Sequence, residues 1–453
     1  MIARRFHAAP RRTVSAGVLA LGAVFAFSGS SIAAKLENKP VTFAKDVAPI
    51  FQAKCEECHR KGTAAPMSLV TYEEVRPWAK AIRERVIRRN MPPWHIDKTV
   101  GIQKFSNDRS LSDDQIDTIV RWVDSGSPMG NLKDMPAPIQ WPSDEQWMLA
   151  KQFGQPELVI KSDAYTVEAH GQDQWWKPET PTGLTEARWV RAVEMRPGTI
   201  AGRKVTHHAL ALLEQEEPGV DSSDFQNGPG LLMEWAIGKN FDIYRENTGK
   251  LLLPGSRIRW DIHTHSVGEA IRDHVELAVY LYPKGVTPKY RTRLNLLGAT
   301  SLNGLDIAPN SMAETQGFHV LKQPARLENY QPHMHLRGKA MAMEAILPDG
   351  TTRMLSYVDH FNFNWMNNYI YADDAAPVLP KGTILRITAW YDNTTSNPNN
   401  PDPNQWVGYG DRTIDEMGHA WVNITNISEE DYKAWAAKHD PKEAKLTAEQ
   451  RPQ

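Results

Sequence analysis

Cysteine is nearly absent from this chain: there are two thiols in 453 residues. Both fall in one stretch, Cys55-Glu56-Glu57-Cys58-His59, so no thiol is spare for a disulfide staple or a Cys-ligated zinc. Long basic runs are also missing. Lys plus Arg number 52 against 54 Asp plus Glu, a formal charge of -2, and nothing resembles the basic tracts that follow a phosphate backbone. This argues against nucleic acid as a partner. Apolar runs are short. The candidate span, Val14 to Phe27, is too short to cross a bilayer comfortably.

That stretch follows the basic residues Arg4, Arg5, Arg11 and Arg12 and precedes the small-x-small site Ser31-Ile32-Ala33. The pattern predicts an export signal over residues 1–33, cut after Ala33. No apolar pair follows Arg11-Arg12 to mark the twin-arginine route, which favours the general one. The mature chain would lose four Arg and no acid, moving the formal charge from -2 to -6. It is expected in the periplasm or outside the cell, with no stable membrane span after cleavage.

What is present starts with the cysteines. C-x-x-C-H is the pattern that attaches c-type haem: Cys55 and Cys58 would bond the vinyl groups and His59 would ligate the iron. One covalent haem c is expected, in a helical cytochrome domain over residues 39–131. Pro77 suits a first helical turn, with Trp78, Ile82 and Val86 on one face, and this helix must end before Met91-Pro92-Pro93. Ser112 and Gln115 form a capping box for a helix carrying Ile116, Ile119, Val120 and Val123, stopped by Gly126. Met91, leaving a helix at a proline-locked turn, is the choice for sixth iron ligand; Met67, Met129 and His95 are the alternatives. A thioether there raises the haem potential relative to a second imidazole.

Residues 132–156 read as a Pro- and Trp-containing linker. Beyond it short alternating stretches, such as Arg188 to Val193, Leu251 to Ile262, Val275 to Tyr282 and Ile384 to Tyr391, are separated by Gly, Pro and Asn-rich turns. This spacing suits antiparallel sandwiches. Residues 429–453 are charged and poor in apolar residues, and read as a terminal helix or a frayed tail.

The histidines of the β region are paired. His207-His208 are adjacent, and His263-Thr264-His265 and His333-Met334-His335 each place two imidazoles on one strand face. Fifteen His would produce roughly half of one pair of each kind by chance, so three pairs between His207 and His335 point to metal. Imidazole with thioether and no cysteine is a copper set rather than a zinc set. Adjacent His207 and His208 can share an ion only where the strand twists, bulges or ends.

The strings Val205-Thr206-His207-His208, Trp260-Asp261-Ile262-His263, His333-Met334-His335-Leu336-Arg337-Gly338 and Asp415-Glu416-Met417, in this order, resemble the type II copper monooxygenases, which include peptidylglycine α-hydroxylating monooxygenase and dopamine β-monooxygenase. The whole chain also looks like bacterial ascorbate-dependent-monooxygenase-like proteins that join a cytochrome c domain to such a module. The resemblance implies two jelly-roll-like antiparallel β-sandwich domains, here residues 157–295 and 296–428, each holding one copper. It implies an electron-storing site at His207, His208 and His263, and an oxygen-binding, catalytic site at His333, His335 and Met417. His265 could replace or supplement His263.

The chain also departs from those enzymes. It has no disulfides to staple the copper domains. Gln331 stands where the peptide-amidating enzyme uses Arg to bind the substrate carboxylate, and a neutral amide cannot supply that ionic fork. The resulting expectation is a three-part protein: an α-helical cytochrome c domain and two β-sandwich copper domains. It would hydroxylate a C–H bond of a small substrate with O2. Electrons would arrive through the haem from an external donor, a cytochrome, a quinol-linked carrier or an ascorbate-like reductant. The alternative is a non-catalytic electron-transfer or copper-binding protein on the same scaffold. Aromatic and Asn residues from Asn362 to Tyr369 line either a pocket or the core.

Overall fold

The cysteine-bearing stretch is preceded by the helix Ala48–Lys54, in which Ile50 and Phe51 are buried. The helix Ala79–Ile87 buries Ala79, Ile82 and Val86, while Trp78 lies before it in a 3-10 turn and is exposed. The capping box at Ser112 and Gln115 is formed in both directions and starts the helix Asp113–Asp124. Gly126 adopts φ +92, a left-handed stop. In this computed structural model the described residues are 40–63, 65–141, 146–220, 230–236, 238–299 and 304–439. The expected export signal over residues 1–33 lies outside them. Val41–Gln453 form one unit, and among the described residues no helix is long and apolar enough to cross a membrane.

The expected fold, a helical cytochrome domain followed by two antiparallel sandwiches, is not what forms. The protein is mainly β, organised around one mixed sheet of 16 strands. The path through that sheet runs Leu158–Lys161, Val275–Leu281, Arg188–Pro197, Thr248–Leu252, Tyr290–Gly298, Leu231–Ala236, Thr206–Glu214, Arg257–Thr264 and Gln174–Trp176. Its junction is Tyr290–Gly298, which pairs antiparallel with Gly418–Asn426 and parallel with Thr248–Leu252. One strand thus joins the two regions expected to close as separate sandwiches. Alternation in a sequence marks a strand but says nothing about its partner. A second, four-stranded antiparallel sheet is ordered Met312–Val320, Ile384–Asp392, Gly338–Ile346, Thr352–Val358.

The helices are short, from 4 to 12 residues for the α-helices before the sheets, and their segment is not a separable helical domain. They share an apolar core built on Phe43, Phe51, Leu69, Ile119 and Trp122. The chain between them, however, turns away to the β body. Trp94 and Ile96 are buried in the core formed by residues between Leu297 and Ile424, and Ile102 and Phe105 pack on it. Trp94 packs edge-on against Tyr369 at 4.7 Å, and Ile96 bridges Val358. The apolar residues after Met91 are buried by strands, a long-range pairing that helical periodicity does not show.

Residues read as a linker are also packed. Trp147 and Leu149 are buried against Ala192, Ala278 and Tyr280, and the N–H groups of Met148 and Leu149 donate to Glu194. The stretch Leu251 to Ile262 is two strands, Thr248–Leu252 and Arg257–Thr264, because Pro254 and Gly255 turn the chain between them. The terminal segment forms the helix Glu429–His439, docked through Tyr432 and Ala436 beside Val378.

The two sheets approach closely at Gly317, on the strand Met312–Val320. A Cβ there would collide with the carbonyl oxygen of Gly298 on the junction strand. Gly317→Ala is therefore expected to cost about 1–3 kcal/mol, seen as a lower Tm. Gly408→Ala, whose Cβ would meet only Leu305 O at 3.7 Å, should melt like the unmodified protein.

Candidate metal centre and its neighbouring cavity

His207 and His208 lie on the strand Thr206–Glu214, antiparallel to Arg257–Thr264 with His263. The register pairs His263 with His208 but Thr264 with Thr206. His207 is thus the extra residue of a β-bulge. The bulge turns two neighbouring imidazoles the same way, which a regular strand forbids. One ligand atom from each of His207, His208 and His263 lies within 4.8 Å of the others. His265 follows the strand end, with its ring centroid 6.5 Å from that of His207; it is outside this group of three.

His263 is sandwiched. Trp175 is its partner on the next strand and stacks on it at 4.5 Å and 6°. Its Nε2 lies 3.2 Å from Asp173 Oδ2, which also accepts from the Thr413 hydroxyl. Its Nδ1 is buried with no hydrogen-bond partner in the structure. An imidazole fixed by a carboxylate on one nitrogen and bare on the other has the orientation of a metal ligand.

The second set meets the first. His333 is the next-to-last residue of the strand Asn329–Met334, and its ring centroid is 5.8 Å from that of His208. His335 is 5.5 Å from His333. Its Nδ1 lies 3.2 Å from the Asp415 carbonyl oxygen; a carbonyl only accepts, so Nδ1 carries the proton and Nε2 is free. Glu416, fully buried, accepts from the backbone N–H groups of His335, Arg337 and Met417. One carboxylate therefore ties His335 to Met417. Met334 pairs with Gly418, so one step further Met417 falls opposite His335. Phe363 stacks on His207 at 4.7 Å and meets His335 edge-on at 5.9 Å.

A sixth imidazole, His419, escaped the sequence analysis. It pairs in register with His333 and stacks on it at 4.6 Å and 20°. It stands two residues after Met417, and period-two alternation could have picked it out. The two ligand sets thus form a continuous chain of rings, a closeness not visible in the sequence.

Burial pushes every one of these imidazole pKa values down. His207 and His419 fall to about 3 and His335 to about 4, first through desolvation and then through the neighbouring imidazoles. His208 and His333 lie well below the usual value for the same reasons, and His263 is lowered against the pull of Asp173. The rings are neutral at neutral pH, and His207 Nδ1 and His208 Nδ1 lie 3.1 Å apart, within hydrogen-bond distance of each other.

The cysteines line a cavity of about 500 Å³. Cys55, Cys58, His59, Met67, Met91 and Pro92 form one part of its wall, and Glu194, Met195, Trp235 and Trp365 of the β body form another. Its volume is in the range of cofactor pockets. His59 Nδ1 donates to Met67 O at 3.2 Å, leaving Nε2 free. Burial pushes the Cys55 thiol up to about 12. A thiol held protonated is a poor metal ligand, whereas a thioether bond to haem needs no thiolate in the finished protein. Arg85, Arg109 and Arg203 on the wall suit the two haem carboxylates. Of the alternative sixth ligands, Met67 borders this cavity with Met91; Met129 and His95 do not. The residues fit a covalent haem.

The cavity and the imidazoles are joined by short stretches of chain. Trp365 borders the cavity and Phe363, two residues earlier, covers His207. Trp235 borders it too, and its neighbour Ala236 pairs with His208.

No known family profile matches the chain, and no curated protein matches it. Among solved structures, the major capsid protein P2 of bacteriophage PM2 is 9% identical over 60% of this chain and 98% of that one, at TM-score 0.26. The VP2 subviral particle of infectious bursal disease virus is 12% identical over 66% and 76%, at 0.17. Likeness this slight assigns neither a family nor a function.

The imidazole shifts set a pH dependence. For the metal-free protein, groups with folded pKa values below 6.5 leave the unfolded chain holding more protons between that value and about 3 to 4. Their contribution is fully present above pH 6.5 and lost as pH falls toward 4. Glu416, pushed up to about 7 by burial, works in the opposite direction, as do Glu56, Glu194, Glu234, Asp261 and Asp273, each raised by desolvation, while the lowered His59, His95 and His319 add to the imidazole side. The metal-free protein should therefore lose denaturant resistance between pH 6.5 and 4, and His207→Gln combined with His333→Gln should flatten that slope. An equal slope in both proteins would contradict this origin.

Proposed function

We propose that this chain is an exported copper monooxygenase with its own electron-carrying haem, hydroxylating a C–H bond of a small substrate with O2. The observation that carries this reading is the convergence of two desolvated imidazole sets near a cavity bordered by Cys55, Cys58, His59 and Met91. When bound, copper would supply one-electron redox chemistry and oxygen activation, and haem c would supply stored single electrons.

The protein's own groups divide the work. His59 presents Nε2 because Met67 O holds Nδ1, and Met91, on the wall of the same cavity, would offer its thioether to the iron. His207, His208 and His263 present three imidazoles, a set that changes little with oxidation state. His333, His335 and Met417 would offer a copper ion fewer strong donors, a set that would leave room for O2 to bind. Glu416 holds these last two in register. Phe363 and Trp175 cover the imidazoles and limit water. Gln331 has its amide committed: Oε1 accepts from Lys239 Nζ at 3.1 Å and Nε2 donates to Glu234. This supports a substrate without a carboxylate at that position.

The reading predicts two coppers and one iron per chain, with O2 uptake coupled to a hydroxylated product. Electrons would come from an external cytochrome, quinol-linked carrier or ascorbate-like reductant. Met417→Ile should keep about two coppers and the haem spectrum while losing nearly all O2-dependent hydroxylation, since a thioether binds weakly. Until a substrate is found, carbon monoxide on the reduced copper is the probe: its stretching frequency should change in Met417→Ile and not in His263→Ala. Zinc in both sites after copper-replete expression would sink the assignment. Oxygen uptake without any hydroxylated product would favour an electron carrier.

A further inference from the structure

We propose that Arg337 is a positioning residue for both imidazole sets, acting through the segment 413–417 that its guanidinium pins down. This rests on the copper reading above and names what holds the ligands of those sites in place.

Arg337 stands between the strands Asn329–Met334 and Gly338–Ile346, two residues after His335, and is 2% exposed. Taking a guanidinium out of water is costly unless its N–H groups find acceptors. Here they reach three stretches of chain. Nε donates to Asn393 Oδ1 at 3.0 Å, Nη1 to Ile414 O at 2.7 Å and Nη2 to Asp402 O at 3.5 Å. A planar fork serves acceptors spread this way, and the compact ammonium of a lysine does not. The backbone N–H of Arg337 also donates to Glu416, at 2.9 Å. Side chain and main chain of one residue thus hold positions 414 and 416.

The segment needs such an anchor. It lies between the short strand Val407–Gly408 and the strand Gly418–Asn426. Among residues 411–417 only Glu416 is buried, and Ile414 is 50% exposed. Apolar burial therefore does not fix this stretch, and hydrogen bonds must. Yet both ligand sets lean on it. Thr413 donates its hydroxyl to Asp173, the carboxylate 3.2 Å from His263 Nε2. The Asp415 carbonyl oxygen accepts from His335 Nδ1 at 3.2 Å, and Met417 follows two residues later. The Arg337 bond to Ile414 O falls between these two contacts, so losing it would free Thr413 and Asp415 together.

The competing account is a purely structural arginine, whose loss would lower Tm and leave both sites of the folded protein unchanged. The full-length protein with haem attached is therefore loaded with copper and examined well below its melting temperature, as Arg337→Lys, Arg337→Gln and Thr413→Val. Carbon monoxide on the reduced copper reports the His333/His335/Met417 site. Chelator competition in a His333→Ala background reports the His207/His208/His263 site. Both Arg337 variants are expected to shift the carbon monoxide stretching frequency, as Met417→Ile does. They are also expected to weaken the three-imidazole copper by roughly 10-fold or more, with the haem spectrum intact. Thr413→Val is expected to weaken the three-imidazole copper and leave the frequency where it is. Wild-type frequency and affinity in both folded Arg337 variants would overturn the positioning role while the copper reading stood. If His333→Ala itself still held two coppers, the copper reading would fall, and this proposal with it. Should neither Arg337 variant fold, Thr413→Val decides: weakened copper with an unshifted frequency supports the role of the segment, and unchanged affinity overturns it.

Discussion

Six imidazoles in ring contact are tolerable only because burial keeps them neutral, and the architecture around them follows from that requirement. Charged at once, rings about 5 Å apart would repel strongly in a medium that screens poorly. Desolvation removes the difficulty by making protonation costly, and it leaves lone pairs facing inward. The only carboxylate set directly against a ring here is Asp173, on His263 among the described residues. It orients that ring rather than charging it. Packing of Trp175, Phe363 and Trp421 supplies the low-dielectric wall.

Two backbone devices then aim the side chains. The bulge at His207 breaks strand alternation at the one place where neighbouring residues must face the same way. Glu416 does the equivalent task across two segments far apart in sequence, accepting from the N–H groups of His335, Arg337 and Met417. Burial would make this carboxylate prefer its neutral form, and the three donors offset part of that cost. Because its partners are backbone, shortening this side chain should disturb position more than chemistry.

The cavity beside Cys55 and Cys58 owes its shape to a departure from modular construction. Its wall combines residues of the short helices with Glu194, Met195 and Trp235 of the large sheet and Trp365 of a loop. The return segment through Trp94 and Ile96 is embedded in the second β core, which anchors the helical part to the strands. A group held by the cysteines would therefore lie against the body that carries the imidazoles, with Phe363 and Trp365 two residues apart between them.

Much was legible in the residues themselves. The capping box at Ser112, the stop at Gly126 and the strands around Arg188, Val275 and Ile384 are local, set by hydrogen-bonding and alternation within a few positions. The two cysteines, the paired histidines and the need for a twist, bulge or strand end at His207-His208 were equally plain. Which strands pair was not, since alternation exposes a face without naming its neighbour, and the junction strand Tyr290–Gly298 merged what had been expected as separate sandwiches. His419 was passed over for the same reason: alone in sequence it is one histidine among fifteen. The sequence by itself determined the chemical inventory and the local elements, because those depend on residue type and short spacing. Only the tertiary structure decided that His208, His333 and His419 adjoin and that the cysteines border a cavity walled by strands, because cross-strand register and burial are set by contacts among residues far apart in the chain.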